Sequence, residues 1–207
     1  MQLDDTLENY MRKTADFHGC FMKAPGIVIG CHMVEYALEL IGEPRGALNA
    51  VTETRVCLSD CIQVMTGCTL GNKHLKLADN LGRYALTLYD RDSGEGVRVY
   101  LDLSKIDATR HPELHSFHLR QRAPLVLTDM DFRKKSGTKV VKEFLEARRE
   151  VLSWQRVKVA YARKDPMDPS VPCTVCGEPF LKKTREPGPC PACDGAAYYQ
   201  VLTSEGP

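Results

Sequence analysis

Four cysteines near the C-terminus carry the strongest chemical signal in the chain. They form two Cys-x-x-Cys pairs, Cys173 with Cys176 and Cys190 with Cys193, separated by thirteen residues. Two residues between the thiols let one turn direct both sulfurs at one ion, and two such turns complete the tetrahedral thiolate set that structural zinc prefers. Gly177 fits the tight turn, where a side chain would crowd the backbone. Two disulfides or a redox dithiol are the alternatives, and the spacing favours structural zinc.

The segment that carries these cysteines is short. Residues 166–207 cannot bury enough apolar surface to fold alone, so metal binding would supply folding free energy of the order of 10 kcal/mol. The module could act as a stabilising cap or a dimer contact, or it could contact nucleic acid through Lys182, Lys183 and Arg185. Three cations on a module without net positive charge favour the first role.

A second group of candidate residues lies in the first third of the chain. His18 precedes a helix-breaking glycine, Cys57 lies on a predicted helix, and Cys68 follows the end of that helix. These three side chains could converge on zinc or iron, and they are also the candidates for catalysis. Asp60 and Gln63 are nearby candidates for a further ligand, a base or an orienting partner, and Cys20 is a possible further metal ligand.

Other cysteines and histidines carry no such pattern. Cys31 and Cys61 fall on apolar helix faces, and free cysteine often packs as a small buried residue. Four further histidines have no surrounding motif and are predicted at the surface: His32, His111, His115 and His118.

The composition is that of an ordinary globular protein. Of 207 residues, 43% are hydrophobic and 27% are charged, which excludes wholesale disorder and collagen-like repeats. Nine cysteines in two separate groups indicate metal or thiol chemistry in a reducing compartment. No apolar run approaches the roughly 18 residues of a membrane span, and the start lacks a signal pattern. We therefore expect a cytoplasmic protein without membrane contact.

The net charge of +1 hides a basic segment. Residues 131–165 carry 11 Lys and Arg against 5 Asp and Glu. Such a block is most often one solvated helix face, so nucleic-acid binding is the weaker interpretation.

Apolar spacing and turn residues predict the main elements. Helices are expected over Asp5–Phe17 with Asp4 or Asp5 as N-cap, from Pro25 to Gly42, from Thr54 to Met65, and from Thr138 to Val151. A hairpin over residues 84–101 and a strand over residues 156–161 follow from alternation. Three prolines in residues 164–172 predict a linker without regular structure. We place a domain boundary there, giving a core domain over 1–165 and a zinc finger over 166–207.

Three stretches of the chain resemble one known family. Phe17-His18-Gly19 with the segment 24–30, Cys57-Leu58-Ser59-Asp60-Cys61-Ile62-Gln63, and Thr66-Gly67-Cys68-Thr69-Leu70-Gly71-Asn72 are similar to motifs of the FmdE family of formylmethanofuran dehydrogenase proteins. The resemblance covers about residues 10–160. Many members of that family also carry a C-terminal four-cysteine zinc finger of treble-clef type.

The resemblance implies an α+β core with helices against a mixed β-sheet, often paired as a homodimer. It also implies a metal or thiol pocket, which maps to His18, Cys57 and Cys68 and could hold a second transition metal. The family takes its name from a molybdenum or tungsten enzyme complex that reduces carbon dioxide onto methanofuran, a step related to methanogenesis. This chain departs from the family pattern because Cys20 replaces a histidine and Ala24 replaces a cysteine. Cys61 stands where the family tends to have alanine.

Three functional hypotheses follow. The first is a metal-binding or redox-associated accessory protein of this family, with a His/Cys pocket in the core and a structural zinc in the tail. The second is a stand-alone enzyme in which Cys57 or Cys68 is the nucleophile and His18 the base. The third is a nucleic-acid or partner-binding module that uses the basic segment and the finger.

Overall fold

The computed structural model describes residues 5–20, 24–43, 46–160 and 167–202. The chain divides into two compact units, residues 1–161 and residues 162–207. The predicted domain boundary near residue 165 lies outside the described residues.

A five-stranded mixed sheet forms the centre of the first unit. Its strands occur in the spatial order β2-β1-β3-β4-β5. β1 and β2 are parallel, whereas the other neighbours pair antiparallel. The strands are β1 (Leu48–Thr52), β2 (Leu75–Leu77), β3 (Ala85–Asp90), β4 (Glu95–Leu101) and β5 (Leu152–Lys158). This sheet confirms the predicted fold class and the predicted hairpin, which is β3 and β4.

Helices cover the sheet. They are α1 (Leu7–His18), α2 (Pro25–Ile41), α3 (Leu58–Thr66), α4 (Pro112–His118) and α5 (Met130–Ala147). α2 is apolar on nearly every face and buries ten of its residues, as expected of a helix in the middle of a core. It packs against α1, α3 and α5 on its sides and against β3 and β4 of the sheet.

Several predicted boundaries are wrong, and three of them have identifiable reasons. Thr6 caps α1 by accepting a hydrogen bond from the Asn9 backbone, while Asp5 accepts one from the Thr6 backbone instead; Asp4 lies outside the described residues. α5 begins eight residues earlier than predicted because Asp129 caps it, and its first turns are too polar to show an apolar period. β5 begins at Leu152, so Val151 ends a short 3₁₀ turn rather than a helix.

The second unit contains a two-stranded antiparallel sheet. β6 (Ser170–Pro172) pairs with β7 (Pro179–Leu181). The prediction that residues 164–172 lack regular structure is therefore wrong at its end, because an isolated two-stranded ribbon has only edge strands, which tolerate proline. Within the described residues, no helix combines the length and apolar character that crossing a membrane requires.

Candidate functional site

The four C-terminal cysteines lie together in the second unit. Their sulfur atoms are all within 4.8 Å of one another, and this is the one group of three or more potential metal ligands in the described part of the chain. The Sγ atoms of Cys176 and Cys190 are 4.0 Å apart. Sulfurs bonded to one zinc at about 2.3 Å in a tetrahedron lie about 3.8 Å apart, so the four thiols fit a single ion.

The backbone prepares one of these sulfurs to carry charge. The Cys173 Sγ accepts hydrogen bonds from the backbone N–H groups of Val175, Cys176 and Cys190, at 3.2–3.5 Å. These donors, that of Cys176 first, lower the pKa of Cys173 to about 6. Gly177 completes the turn at φ 79°, a conformation that favours glycine.

Two of the other thiols, those of Cys176 and Cys193, resist ionisation beside that sulfur. Hydrogen bonding to Cys190 and burial raise the pKa of Cys193 to about 12, and the pKa of Cys176 is also raised. Without a cation, a second thiolate in this small volume is repelled by the first. A divalent ion would supply the missing positive charge, which is the behaviour of a metal site rather than of four independent thiols.

In the first unit, a histidine lies between a thiol and a carboxylate. The Nε2 atom of His18 is 3.8 Å from the Cys57 Sγ, and its Nδ1 atom is 2.5 Å from the Asp60 Oδ2. His18 is the last residue of α1, Cys57 is the N-cap of α3, and Asp60 lies in the first turn of α3. Gly19, at φ 71°, ends α1 directly after the histidine and so fixes it beside α3.

The surroundings of the Cys57 thiol oppose its ionisation. Burial raises the pKa of Cys57, and the Asp60 carboxylate raises it further, as a thiolate at Cys20 would. Burial and Asp60 also raise the pKa of Cys20. Cys20, Cys57 and Asp60 therefore lie within electrostatic range of one another, and a base or a cation is needed to form a thiolate there.

The structure does not bring Cys68 to this group. Cys68 follows the C-terminal end of α3 and is buried, and its Sγ donates to the Leu48 carbonyl at 3.4 Å. Cys57 lies at the opposite end of the same helix. Nine helical residues at about 1.5 Å each place the two ends about 14 Å apart. The predicted combination of His18 and Cys57 is thus present as a pair, with Asp60 rather than Cys68 as the third member.

The Thr-Gly-Cys-Thr-x-Gly-Asn motif forms a turn in the described structure. The Asn72 Oδ1 accepts from the backbone N–H groups of Thr69 and His74, and its Nδ2 donates to the Gly67 carbonyl. These bonds close the loop between α3 and β2. The motif positions the end of α3 and does not present a reactive group in the described geometry.

The remaining cysteines and histidines of the first unit differ in how deeply they are buried. Cys31 and Cys61 are fully buried between α2 and α3, in agreement with a packing role. The expectation that the motif-free histidines lie at the surface is wrong for His111, which is 5% exposed. Burial also lowers the pKa of His32 and of His118 to about 4.

Sequence reasoning missed the glycines and the tyrosine that surround the thiols. A β-carbon at Gly26 would lie 2.6 Å from the Cys57 Sγ, so α2 and α3 approach closely only because residue 26 has no side chain. The Tyr84 hydroxyl donates to the Gly26 carbonyl at 2.9 Å. The sequence did contain one indication of this contact: Gly26 and Gly30 are four residues apart, as are Cys57 and Cys61, so that each glycine can face one cysteine across the two helices.

The basic segment is largely an exposed helix face with internal partners. Lys139 pairs with Glu113, Lys142 with Glu146, and Arg149 with Glu39. This arrangement is that of a solvated, amphipathic helix.

The fold and the cysteine cluster define the class as an α+β protein with a separate unit that could bind a metal ion. Residues 17–159 match the family model described as "FmdE, Molybdenum formylmethanofuran dehydrogenase operon". The chain belongs to the FmdE family, which confirms the resemblance found in the sequence.

Two similar proteins extend this comparison. A crystal structure of a tungsten formylmethanofuran dehydrogenase FmdE-like protein from Syntrophus aciditrophicus is 30% identical, with a TM-score of 0.76, and the match covers 97% of this chain and 100% of that one. A probable S-adenosyl-L-methionine-binding protein of Archaeoglobus fulgidus is 29% identical over 209 residues. The match covers 95% of this chain but only 55% of that relative, so the chain spans about half of its length.

Proposed function

We propose that the four C-terminal sulfurs bind one structural zinc ion and that residues 166–207 form a zinc-finger domain. The proposal is supported by the mutual approach of four sulfurs to within 4.8 Å and by the fit of that spacing to a tetrahedral ion. In this proposal Cys173, Cys176, Cys190 and Cys193 are the ligands, and the zinc supplies folding free energy and no chemistry.

Metal analysis of the purified full chain tests the zinc proposal. We expect one zinc per chain in the wild type and its loss in Cys176→Ser. Cys31→Ser serves as the matched control, because Cys31 is a buried thiol in the first unit. A folded second unit without bound metal would contradict the proposal.

For the first unit we propose thiol chemistry centred on Cys57. The single observation that supports it is that the His18 imidazole lies between the Cys57 thiol and the Asp60 carboxylate and contacts both. This order is the arrangement of a nucleophile, its base and the group that orients the base. In the proposed step, His18 Nε2 accepts the Sγ proton as the Cys57 sulfur bonds to an electrophilic carbon. The bond from that carbon to its leaving group breaks, the electron pair departs with the leaving group, and the imidazolium can return the proton to it. Asp60 stabilises this imidazolium.

Site-resolved alkylation with iodoacetamide tests this assignment. Cys68 is the internal control, because burial raises the pKa of its thiol too, while its sulfur bonds to a backbone carbonyl and not to a histidine. We expect His18→Gln to slow the reaction of Cys57 at least tenfold at about pH 7 and to leave the slow reaction of the buried Cys68 unchanged. An unchanged Cys57 rate in His18→Gln, or an equal slowing of both cysteines, would contradict a base-assisted thiol.

A core metal site is the second candidate, and a specific observation favours it. The 3.8 Å between His18 Nε2 and Cys57 Sγ also suits two ligands of one ion, and a carboxylate on the other ring nitrogen is the usual support of a metal-bound histidine. Cys20 would have to move to serve as a third ligand, because His18, Cys57 and Cys20 do not form a group of three converging ligands in the described structure. Cobalt(II) titration of a chain already loaded with zinc decides between the two, since a metal site gives sulfur-to-cobalt absorption that Cys57→Ser abolishes.

Membership of the FmdE family also motivates a proposal about partners. We propose that the protein acts as an accessory to a molybdenum or tungsten formylmethanofuran dehydrogenase and that it forms a homodimer. Light scattering of the purified chain measures its mass directly. A monomer at micromolar concentration would contradict the dimer, and failure to associate with the purified dehydrogenase would contradict the accessory role.

A further inference from the structure

A cavity of about 230 Å³ opens where β3 begins and β4 ends, beside the C-terminal end of α4. Two arginines, two tyrosines, two leucines and a histidine line it, and none of them is acidic. This volume lies below the roughly 300–1,000 Å³ of pockets that hold drug-sized ligands. A ligand that fits there is correspondingly small.

Positive charge is in excess at this cavity. Arg83 Nε donates to Glu53 Oε2 at 2.6 Å, and Arg98 donates to both oxygens of the same carboxylate at 2.7 and 3.0 Å. Two guanidinium groups thus share one buried carboxylate, which leaves one unit of positive charge. Arg98 also donates to Gln155, whereas the Arg83 side chain makes no further hydrogen bond among the described residues. The Arg83 guanidinium therefore keeps donors available for an anion.

One ring nitrogen of His118 is a further polar group at this cavity without a hydrogen-bond partner in the described part of the chain. Its Nε2 atom is buried and has no hydrogen-bond partner within the described ranges. Its ring contacts Tyr84 and Phe117 edge to face, with centroids 5.4 and 5.0 Å apart. A buried polar atom without a partner costs about 1–3 kcal/mol, and a ligand in the adjoining cavity could supply the missing partner.

The rest of the lining is apolar or aromatic. The Tyr100 ring lies under the Arg98 guanidinium at 4.8 Å, and Leu101 and Leu103 are half-buried beside it. Surfaces of this type bind the hydrocarbon body of a small molecule, while a few polar groups fix its orientation.

We propose that this cavity binds a small organic monocarboxylate, with its carboxylate on the Arg83 guanidinium, His118 Nε2 as a further partner, and its apolar body against Tyr100 and Leu103. A single negative charge matches the single excess positive charge. None of the lining residues belongs to the Cys57, His18 and Asp60 group, although Tyr84 connects the two regions through its hydrogen bond to the Gly26 carbonyl.

Titration of the zinc-loaded full chain with benzoate tests the site, with benzamide as the neutral isostere and inorganic phosphate as the anion without an apolar body. Calorimetry or NMR shifts measure binding. We expect benzoate to bind at least tenfold more tightly than benzamide or phosphate. Equal binding of benzamide would overturn the anion assignment, tighter binding of phosphate would overturn the monocarboxylate, and absence of benzoate binding would overturn the site.

Three variants locate the binding. Arg83→Gln and His118→Phe are each expected to weaken benzoate binding at least tenfold. Arg149→Gln is the matched control, because that arginine pairs with Glu39 and does not line the cavity, and it should leave binding unchanged. His118→Phe should also unfold at or above the wild-type temperature, since it removes the unpartnered nitrogen. If that variant fails to fold, unchanged affinity in Arg83→Gln, whose side chain is 57% exposed, still overturns the proposal.

Discussion

Gly26 and Cys57 occupy one contact between α2 and α3, in which the missing side chain of one residue makes room for the thiol of the other. A β-carbon at residue 26 would lie 2.6 Å from the Cys57 Sγ and 2.9 Å from its Cβ. One helical turn later the contact repeats, since a β-carbon at Gly30 would lie 2.6 Å from the Cys61 Sγ. The two glycines therefore set how deeply the thiols are buried and where Cys57 meets His18.

Gly26→Ala and Gly30→Ala form a matched pair that separates packing from thiol position. Each forces a sulfur or a helix to move, so we expect each to lower the free energy of unfolding by about 1–3 kcal/mol, the usual cost of overpacking. Only Gly26→Ala should change the alkylation rate of Cys57. Urea denaturation and site-resolved alkylation measure the two effects, and equal changes of Cys57 reactivity in both variants would contradict this division.

Glu53 should be far more important for stability than Arg83, the more exposed of the two arginines that it binds. The residue is 5% exposed; burial alone would raise its pKa, but Arg98 and Arg83 lower it below its ordinary value. Glu53→Gln leaves the half-buried Arg98 guanidinium, whose side chain is 15% exposed, without its counter-charge, so we expect a loss of up to about 3–5 kcal/mol. Arg83→Gln removes an exposed partner and should cost less than about 1 kcal/mol. Similar losses in both variants, measured by urea denaturation, would contradict the buried-charge argument.

Acid should destabilise the first unit through its buried histidines. Burial lowers the pKa of His32 and of His118 to about 4, from about 6.5 in an unfolded chain. As the pH falls, the unfolded chain binds protons at these histidines before the folded chain does. The contribution of the neutral histidines to the free energy of unfolding is therefore complete above pH 6.5 and is lost towards pH 4. Each histidine accounts for at most about 3 kcal/mol.

Trp154 in β5, the single tryptophan of the chain, detects unfolding of this unit by fluorescence. We expect a smaller drop in unfolding free energy between about pH 7 and about pH 5 for His118→Phe than for the wild type. The same pH dependence in both proteins would show that His118 does not contribute to the loss of stability in acid.

Zinc removal should affect the second unit selectively. With a chelator we expect all four C-terminal thiols to become reactive, because none of them is held in a disulfide. Trp154 fluorescence should stay unchanged, since the first unit has its own apolar core. Loss of the Trp154 signal on chelation would contradict the independence of that core.

The sequence was most informative where the chemistry is local. Cys173 and Cys176 meet through one turn, and Gly177 is needed for that turn, so spacing alone predicted the cluster. Cys57 and Cys68 were harder, because both flank one helix and sequence proximity hides the distance between the helix ends. The contact of His18 with Asp60 spans 42 positions and depends on how α1 packs against α3.

Burial of isolated histidines was also beyond the sequence. His111 and His118 lie on or beside α4, a seven-residue helix that is too short to show a clear apolar period. Their burial depends on packing against α5 and on the contact with Tyr84, which are tertiary relationships.

A double-mutant cycle on the alkylation rate of Cys57 tests the central claim most directly. The rates at about pH 7 are measured in wild type, His18→Gln, Asp60→Asn and the double variant, each loaded with zinc. Asp60 is proposed to assist Cys57 through His18, whereas its direct charge effect raises the Cys57 pKa and opposes ionisation. We therefore predict that both single variants slow Cys57 and that the double variant is no slower than His18→Gln. Independent, additive slowing, or no slowing in Asp60→Asn, would contradict the proposed relay from carboxylate to imidazole to thiol.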